Sequence, residues 1–97
     1  MAKYYFTNKA VEDLSEIWNY TVINWSEKQA DKYYDLLCIS CNELAKNPKL
    51  GKQYDIVTKG IFGYKSGEHI IFYTLISKNE IEVTRILHGM MSLKSKL

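Results

Sequence analysis

The stretch Ile61-Phe62-Gly63-Tyr64-Lys65-Ser66-Gly67-Glu68-His69-Ile70-Ile71-Phe72-Tyr73-Thr74-Leu75-Ile76-Ser77-Lys78-Asn79-Glu80-Ile81-Glu82-Val83-Thr84-Arg85-Ile86-Leu87-His88 decides the fold. Apolar, β-branched and aromatic residues crowd it, and short polar runs interrupt it at Gly67-Glu68 and at Ser77-Lys78-Asn79. It reads as three strands, over 61–66, 69–77 and 80–88, joined by turns so tight that neighbours run antiparallel. The middle strand is apolar on both faces, as a strand in the centre of a sheet is. The last sets Ile81, Val83, Arg85 and Leu87 against Glu82, Thr84, Ile86 and His88, so one face carries an arginine among hydrophobes.

Upstream of Gly51 the period changes from two to 3.6. Asn47-Pro48 marks a helix end, because the residue before proline disfavours the helical region. Before it, Ala30, Tyr33, Tyr34, Leu37, Cys38, Cys41, Leu44 and Ala45 repeat at i, i+3, i+4. Ser26-Glu27-Lys28-Gln29 matches a capping box that starts this helix. Almost no loop separates it from an earlier one, where Ala10, Leu14, Ile17 and Thr21 recur at helical spacing. Val11, Trp18, Val22 and Trp25 widen that stripe, and Thr7 or Asn8 caps its start. Glu12 and Asp13 fall in its early turns, where they favour the dipole. Lys3 to Thr7 alternates Tyr4 and Phe6 against Lys3, Tyr5 and Thr7, which suits a first strand. The order is β-α-α-β-β-β, an α+β layer of a helical hairpin packed on a small antiparallel sheet.

Ninety-seven residues with 46% hydrophobic and 25% charged side chains suit one folded domain over 1–97 and exclude a disordered chain. No apolar run approaches a bilayer span, and the amino terminus has no apolar signal core, so a cytoplasmic protein with no membrane partner is expected. The net charge of +2 is too small to argue for nucleic acid, and no direct sequence-specific contact with it is expected. Its distribution is uneven: net −5 over 11–43, +3 over 44–69 and +3 from Arg85 onward. Such a dipolar chain has either two solvated faces of opposite sign or a basic half that meets an acidic partner. Cys38 and Cys41 lie mid-helix without a second ligand pair, and read as reduced, buried thiols. No metal site and no cofactor are expected.

The chemical inventory is short. There is no phosphate-cradling glycine loop and no serine elbow. Arg85 and His88, three apart on one strand, point to opposite faces unless a bulge intervenes. Arg85 needs a partner, either an acid on a helix or a group outside the fold. His88, His69, Lys65 and Tyr73 are candidates for proton transfer in a nuclease, and each also reads as an ordinary strand residue. The tail Gly89-Met90-Met91-Ser92-Leu93-Lys94-Ser95-Lys96-Leu97 is apolar and basic, suited to crossing a sheet edge or to meeting a partner through flexible methionines.

Taken in order, several pieces resemble the ParE-type toxins of the RelE/ParE superfamily of bacterial toxin–antitoxin modules. They are Ala10, Asp13-Leu14, Ile17 and Tyr20; Trp25, Gln29-Ala30-Asp31 and Tyr34; Leu44-Ala45, Asn47-Pro48 and Gly51; Gly67, His69 and Ile71-Phe72-Tyr73; and Arg85-Ile86-Leu87-His88-Gly89 with Met91. The resemblance covers essentially the whole chain and implies the same RelE/ParE-like fold. It also implies a non-enzymatic, plasmid-stabilising toxin that inhibits DNA gyrase and forms a hetero-oligomer with a ParD-like antitoxin.

On that reading Arg85, His88, Met90, Met91, Leu93 and Lys94 carry the target contact. Trp18, Val22, Trp25 and Tyr64 are the expected antitoxin anchors, since apolar aromatics dominate interfaces. The ribonuclease branch resembles RelE, which cuts mRNA on the ribosome, and would use Arg85, His88, His69 and Lys65. A third alternative is a degenerate toxin that only binds antitoxin. The central strand favours the gyrase branch, because Ile70, Ile71 and Phe72 stand where ribonuclease relatives tend to carry a base. Many ParE relatives carry arginine where Phe62 stands, and His-Gly-Arg-Met-Asp where this chain has His88-Gly89-Met90-Met91-Ser92. Both differences remove charge from the expected working surface.

Overall fold

The computed structural model describes residues 2–54 and 59–89. In chain order it has β1 (Lys3–Phe6), α1 (Asn8–Asn24), α2 (Glu27–Lys46), a 3-10 turn (Pro48–Leu50), β2 (Lys52–Gln53), β3 (Phe62–Ser66), β4 (His69–Ser77) and β5 (Glu80–His88). Thr7 starts α1 from extended backbone, its Oγ1 accepting the Ala10 N–H at 3.1 Å. Ser26 does the same for α2 through the Gln29 N–H at 3.0 Å, so only Trp25 and Ser26 separate the helices. At the far end Asn47 leaves the helical region and Pro48 opens the 3-10 turn. The Tyr73 hydroxyl fixes this exit by donating to the Pro48 carbonyl at 2.7 Å and accepting the Gly51 N–H at 3.0 Å. A Cβ at Gly51 would lie 2.2 Å from that hydroxyl, so the close approach requires glycine.

The strands lie in the order β1-β5-β4-β3-β2. β2 to β5 form an antiparallel meander, with the expected boundaries of β4 and β5 met to the residue. Two features depart from the expected β-α-α-β-β-β order on an antiparallel sheet. β1 pairs with β5 in parallel, Lys3 opposite Glu80 and Phe6 opposite Val83, which makes the sheet mixed. β2, only two residues long, pairs with Phe62 and Gly63.

The helical hairpin covers one face of the sheet. Ala10 and Leu14 of α1, Leu37, Cys41, Leu44 and Ala45 of α2, and Ile71, Tyr73, Ile81, Val83 and Ile86 of the sheet form one buried cluster. Ile61, Phe72 and Leu87, with Tyr54 and Ile70 beside them, form a smaller cluster without helical residues. The strict alternation expected along β5 breaks at Thr84. Tyr73 faces Val83 while Phe72 faces Arg85, so Thr84 is an extra residue in a β-bulge. The bulge changes the phase, and Ile86 rather than Leu87 enters the helix-side core.

The stripe expected on α1 needs two corrections. Val11 and Trp25 are exposed, Trp25 because the helix has already ended at its backbone. Asp13, expected to serve the helix dipole, is instead buried within the stripe. Among the described residues, no helix is long and apolar enough to cross a membrane. Both cysteines are free, and burial pushes the Cys41 thiol up to about 12, which leaves it unreactive.

Candidate functional site

Where β1 stops, β5 borders α1 instead of a strand, and an open cavity of about 780 Å³ forms at that end of the sheet. The second half of α1 supplies Ile17, Tyr20 and Thr21, and the helix junction supplies Trp25. α2 contributes Gln29 and Tyr33, the β3–β4 turn Glu68, and the strand ends His69, Arg85, Ile86, Leu87 and His88. Trp25 is 67% exposed at its rim, its ring 6.2 Å from that of Tyr20. The lining combines apolar floor and aromatic edges with a few polar groups, the usual makeup of a binding site.

Two polar clusters shape the cavity wall. In the first, the Asp13 carboxylate accepts from Arg85 Nε at 2.8 Å and from Arg85 Nη2 at 2.9 Å. It also accepts the Ile86 backbone N–H at 2.9 Å. This bidentate pair raises the guanidinium pKa further and neutralises its charge locally. In the second, the Tyr33 hydroxyl accepts the Glu68 N–H at 2.9 Å and meets His69 Nδ1 at 2.6 Å. The hydroxyl donates to Nδ1 when a neutral His69 carries its proton on Nε2, and accepts from Nδ1–H in the other tautomer. Burial, then the nearby His88, lowers the His69 pKa and keeps the ring neutral. Gly67 belongs to this cluster: its φ is +60°, and an added Cβ would sit 2.7 Å from Tyr33.

His69 and His88, nineteen positions apart in sequence, are register partners across β4 and β5, with ring centroids 5.4 Å apart. Arg85 and His88 line the same cavity, although alternation set them on opposite faces, because Arg85 extends to α1 beyond the end of β1. Lys65 is exposed on β3 opposite Ile70, whose side chain joins the cluster on the other face of the sheet. Of the residues considered for ribonuclease chemistry, Arg85, His69 and His88 therefore share the cavity, and Lys65 stands apart from it. Tyr73 is buried and spends its hydroxyl on the 3-10 turn.

The four expected antitoxin anchors also fall in different places. Trp25 stands at the cavity rim, and Trp18 lies in a second groove with Phe6, Val11 and Tyr34. The Trp18 indole donates to Asp31 Oδ1 at 3.1 Å. Val22 is half-buried on α1, and Tyr64 packs on the main core from β3. Met90, Met91, Leu93 and Lys94 lie outside the described residues. Sequence reasoning missed the roles of Asp13 and Tyr33. The signal for Asp13 was its position, three residues from Ala10 and four from Ile17, which puts a carboxylate inside the stripe facing the one arginine of the sheet. Tyr33 gave no comparable signal, since it fits the apolar series of α2.

The family model described as "ParE toxin of type II toxin-antitoxin system, parDE" matches residues 4–93. The chain is 30% identical over 96 residues to Toxin ParE1 of Mycobacterium tuberculosis (strain CDC 1551 / Oshkosh), spanning 99% of this chain and 98% of the relative. It is 29% identical over 97 residues to Toxin ParE1 of Caulobacter vibrioides, spanning 100% of this chain and 99% of that one. A solved structure titled "Chromosomal ParDE TA system from P. aeruginosa" superposes with a TM-score of 0.76 at 19% identity, covering 91% of this chain and 96% of that chain, a likeness of fold.

Proposed function

Because the chain belongs to the ParE toxin family of type II toxin–antitoxin systems, we propose that it is a non-enzymatic toxin that inhibits DNA gyrase by protein–protein contact and is neutralised by a ParD-like antitoxin. One observation carries the choice against RNA cleavage. Cutting a phosphodiester through the 2′-hydroxyl needs a base, an acid and a cation for the phosphorane. Arg85, the cation best placed beside the two histidines, is committed to Asp13 through two charge-assisted bonds. Lys65 stands on the other side of the sheet. The exposed aromatic rim at Trp25 and Tyr20 and the apolar floor behind it suit a protein partner.

The deciding experiment is a gyrase supercoiling and cleavage assay with the folded, antitoxin-free protein. Loss of supercoiling with accumulation of linear DNA is the expected result. Codon-positioned cuts in translated mRNA without any effect on gyrase would overturn the reading in favour of a ribonuclease. Tight antitoxin binding with neither effect would mark a degenerate toxin.

A further inference from the structure

We propose that Glu16, Tyr20 and Trp25, at the mouth of the cavity, form a receptor for one arginine side chain carried on an apolar segment of a partner polypeptide. The proposal rests on the reading of this chain as a toxin that works by protein contact, and deepens it by naming the side chain taken. All three residues line the cavity and are exposed, and the Tyr20 and Trp25 rings lie 6.2 Å apart at a tilt of 55°. Glu16 stands four residues before Tyr20 on α1, so its carboxylate and the Tyr20 ring share one face of the helix. Two ring faces with a carboxylate beside them attract a cation both through the aromatic quadrupoles and through full charge.

Two further features call for positive charge from outside. Trp25 closes the C-terminal end of α1, its backbone N–H donating to the Thr21 carbonyl, and a helix C-terminus carries partial negative charge. α2 meets that charge with Lys46 in its last turn, whereas α1 has no basic residue in its own. The acidic and basic side chains lining the cavity, histidines aside, are Asp13, Glu16, Glu68 and Arg85. Asp13 and Arg85 cancel each other through their two bonds, so the excess is negative. Arg85 is the only arginine in the sequence and is held by Asp13, so neither this chain nor a second copy supplies the occupant.

Arginine suits the site better than lysine. Its planar, weakly hydrated guanidinium stacks on aromatic rings and bonds a carboxylate in a bidentate fork. Its methylene stem and the apolar neighbours on the segment meet Ile17, Ile86 and Leu87 on the cavity floor. Ile23, 81% exposed about one turn beyond Tyr20, extends the apolar surface outside the cavity.

The test is an NMR titration of the full, antitoxin-free chain with a short acetylated, amidated peptide that holds one arginine between leucines. The same peptide with citrulline, alike in shape but uncharged, is the control. The Trp25 indole N–H signal, identified by its loss in Trp25→Leu, is expected to shift with the arginine peptide and to stay in place with the citrulline one. Glu16→Gln and Tyr20→Leu, both at exposed positions, should each weaken binding about threefold. Glu43→Gln, which changes an exposed carboxylate near the far end of α2, should leave it unchanged. No shift at millimolar arginine peptide would overturn the proposal. So would equal binding of the citrulline peptide, or a loss in Glu43→Gln equal to that in Glu16→Gln. A folded chain that inhibits gyrase yet ignores the peptide refutes the receptor alone. One that takes the arginine peptide selectively without inhibiting gyrase upholds the receptor and refutes the gyrase reading.

Discussion

At the residue scale the most consequential side chain is Asp13. It is a buried carboxylate whose three hydrogen bonds go to one guanidinium and one strand amide. Removing either partner of such a pair leaves the other charge desolvated and unpaired. Asp13→Ala is expected to cost about 3 kcal/mol in urea denaturation. The double variant Asp13→Ala/Arg85→Ala should cost less than the two single changes added together, since each alone removes the same pair. His69 gives a second residue-scale expectation. Its folded pKa lies below the ordinary 6.5, so below that pH the unfolded chain takes up a proton that the folded chain resists. Stability contributed by the neutral ring is complete above about 6.5 and falls as the pH drops through the folded value. Urea midpoints should therefore decline from pH 7 to pH 5, with a smaller decline in His69→Asn.

At the scale of elements, the two helix starts look alike in sequence and differ in what they hold. Ser26 makes one capping bond, to Gln29. Thr7 caps α1 and also donates to the Thr84 carbonyl at 2.8 Å, tying the helix to the bulge of β5. Ser26→Ala should cost about 1 kcal/mol and Thr7→Ala about 2, read from urea denaturation of each. The caps, the proline stop, the helical hairpin and the boundaries of β4 and β5 were legible because local chemistry sets them. The Thr84 bulge, the two-residue β2 and the parallel pairing of β1 were not. Each depends on which backbone lies alongside, and side-chain alternation carries no record of that. The candidate site was half legible for the same reason. Arg85, His69, His88 and Trp25 stood out by type, but their meeting around one cavity depends on the register of β4 with β5 and on where β1 ends.

For the whole molecule, the question is which surface meets which partner. The main core among the described residues is made from residues between Ala10 and Ile86, with Ala2 at its margin. Removing residues 90–97 is expected to leave the circular dichroism spectrum native while abolishing gyrase inhibition. A folded, truncated protein that still inhibits would shift the target contact to the cavity rim. The parallel pairing of β1 has a consequence in the cell's order of events. β5 lies between β1 and β4 and also touches both helices, yet among the described strands it comes last in sequence. Until the ribosome has delivered it, the first strand and the hairpin have no sheet to close on, and the meander lacks its inner neighbour. The nascent chain thus holds its working shape back until β5 has emerged, a built-in delay between starting the protein and arming it.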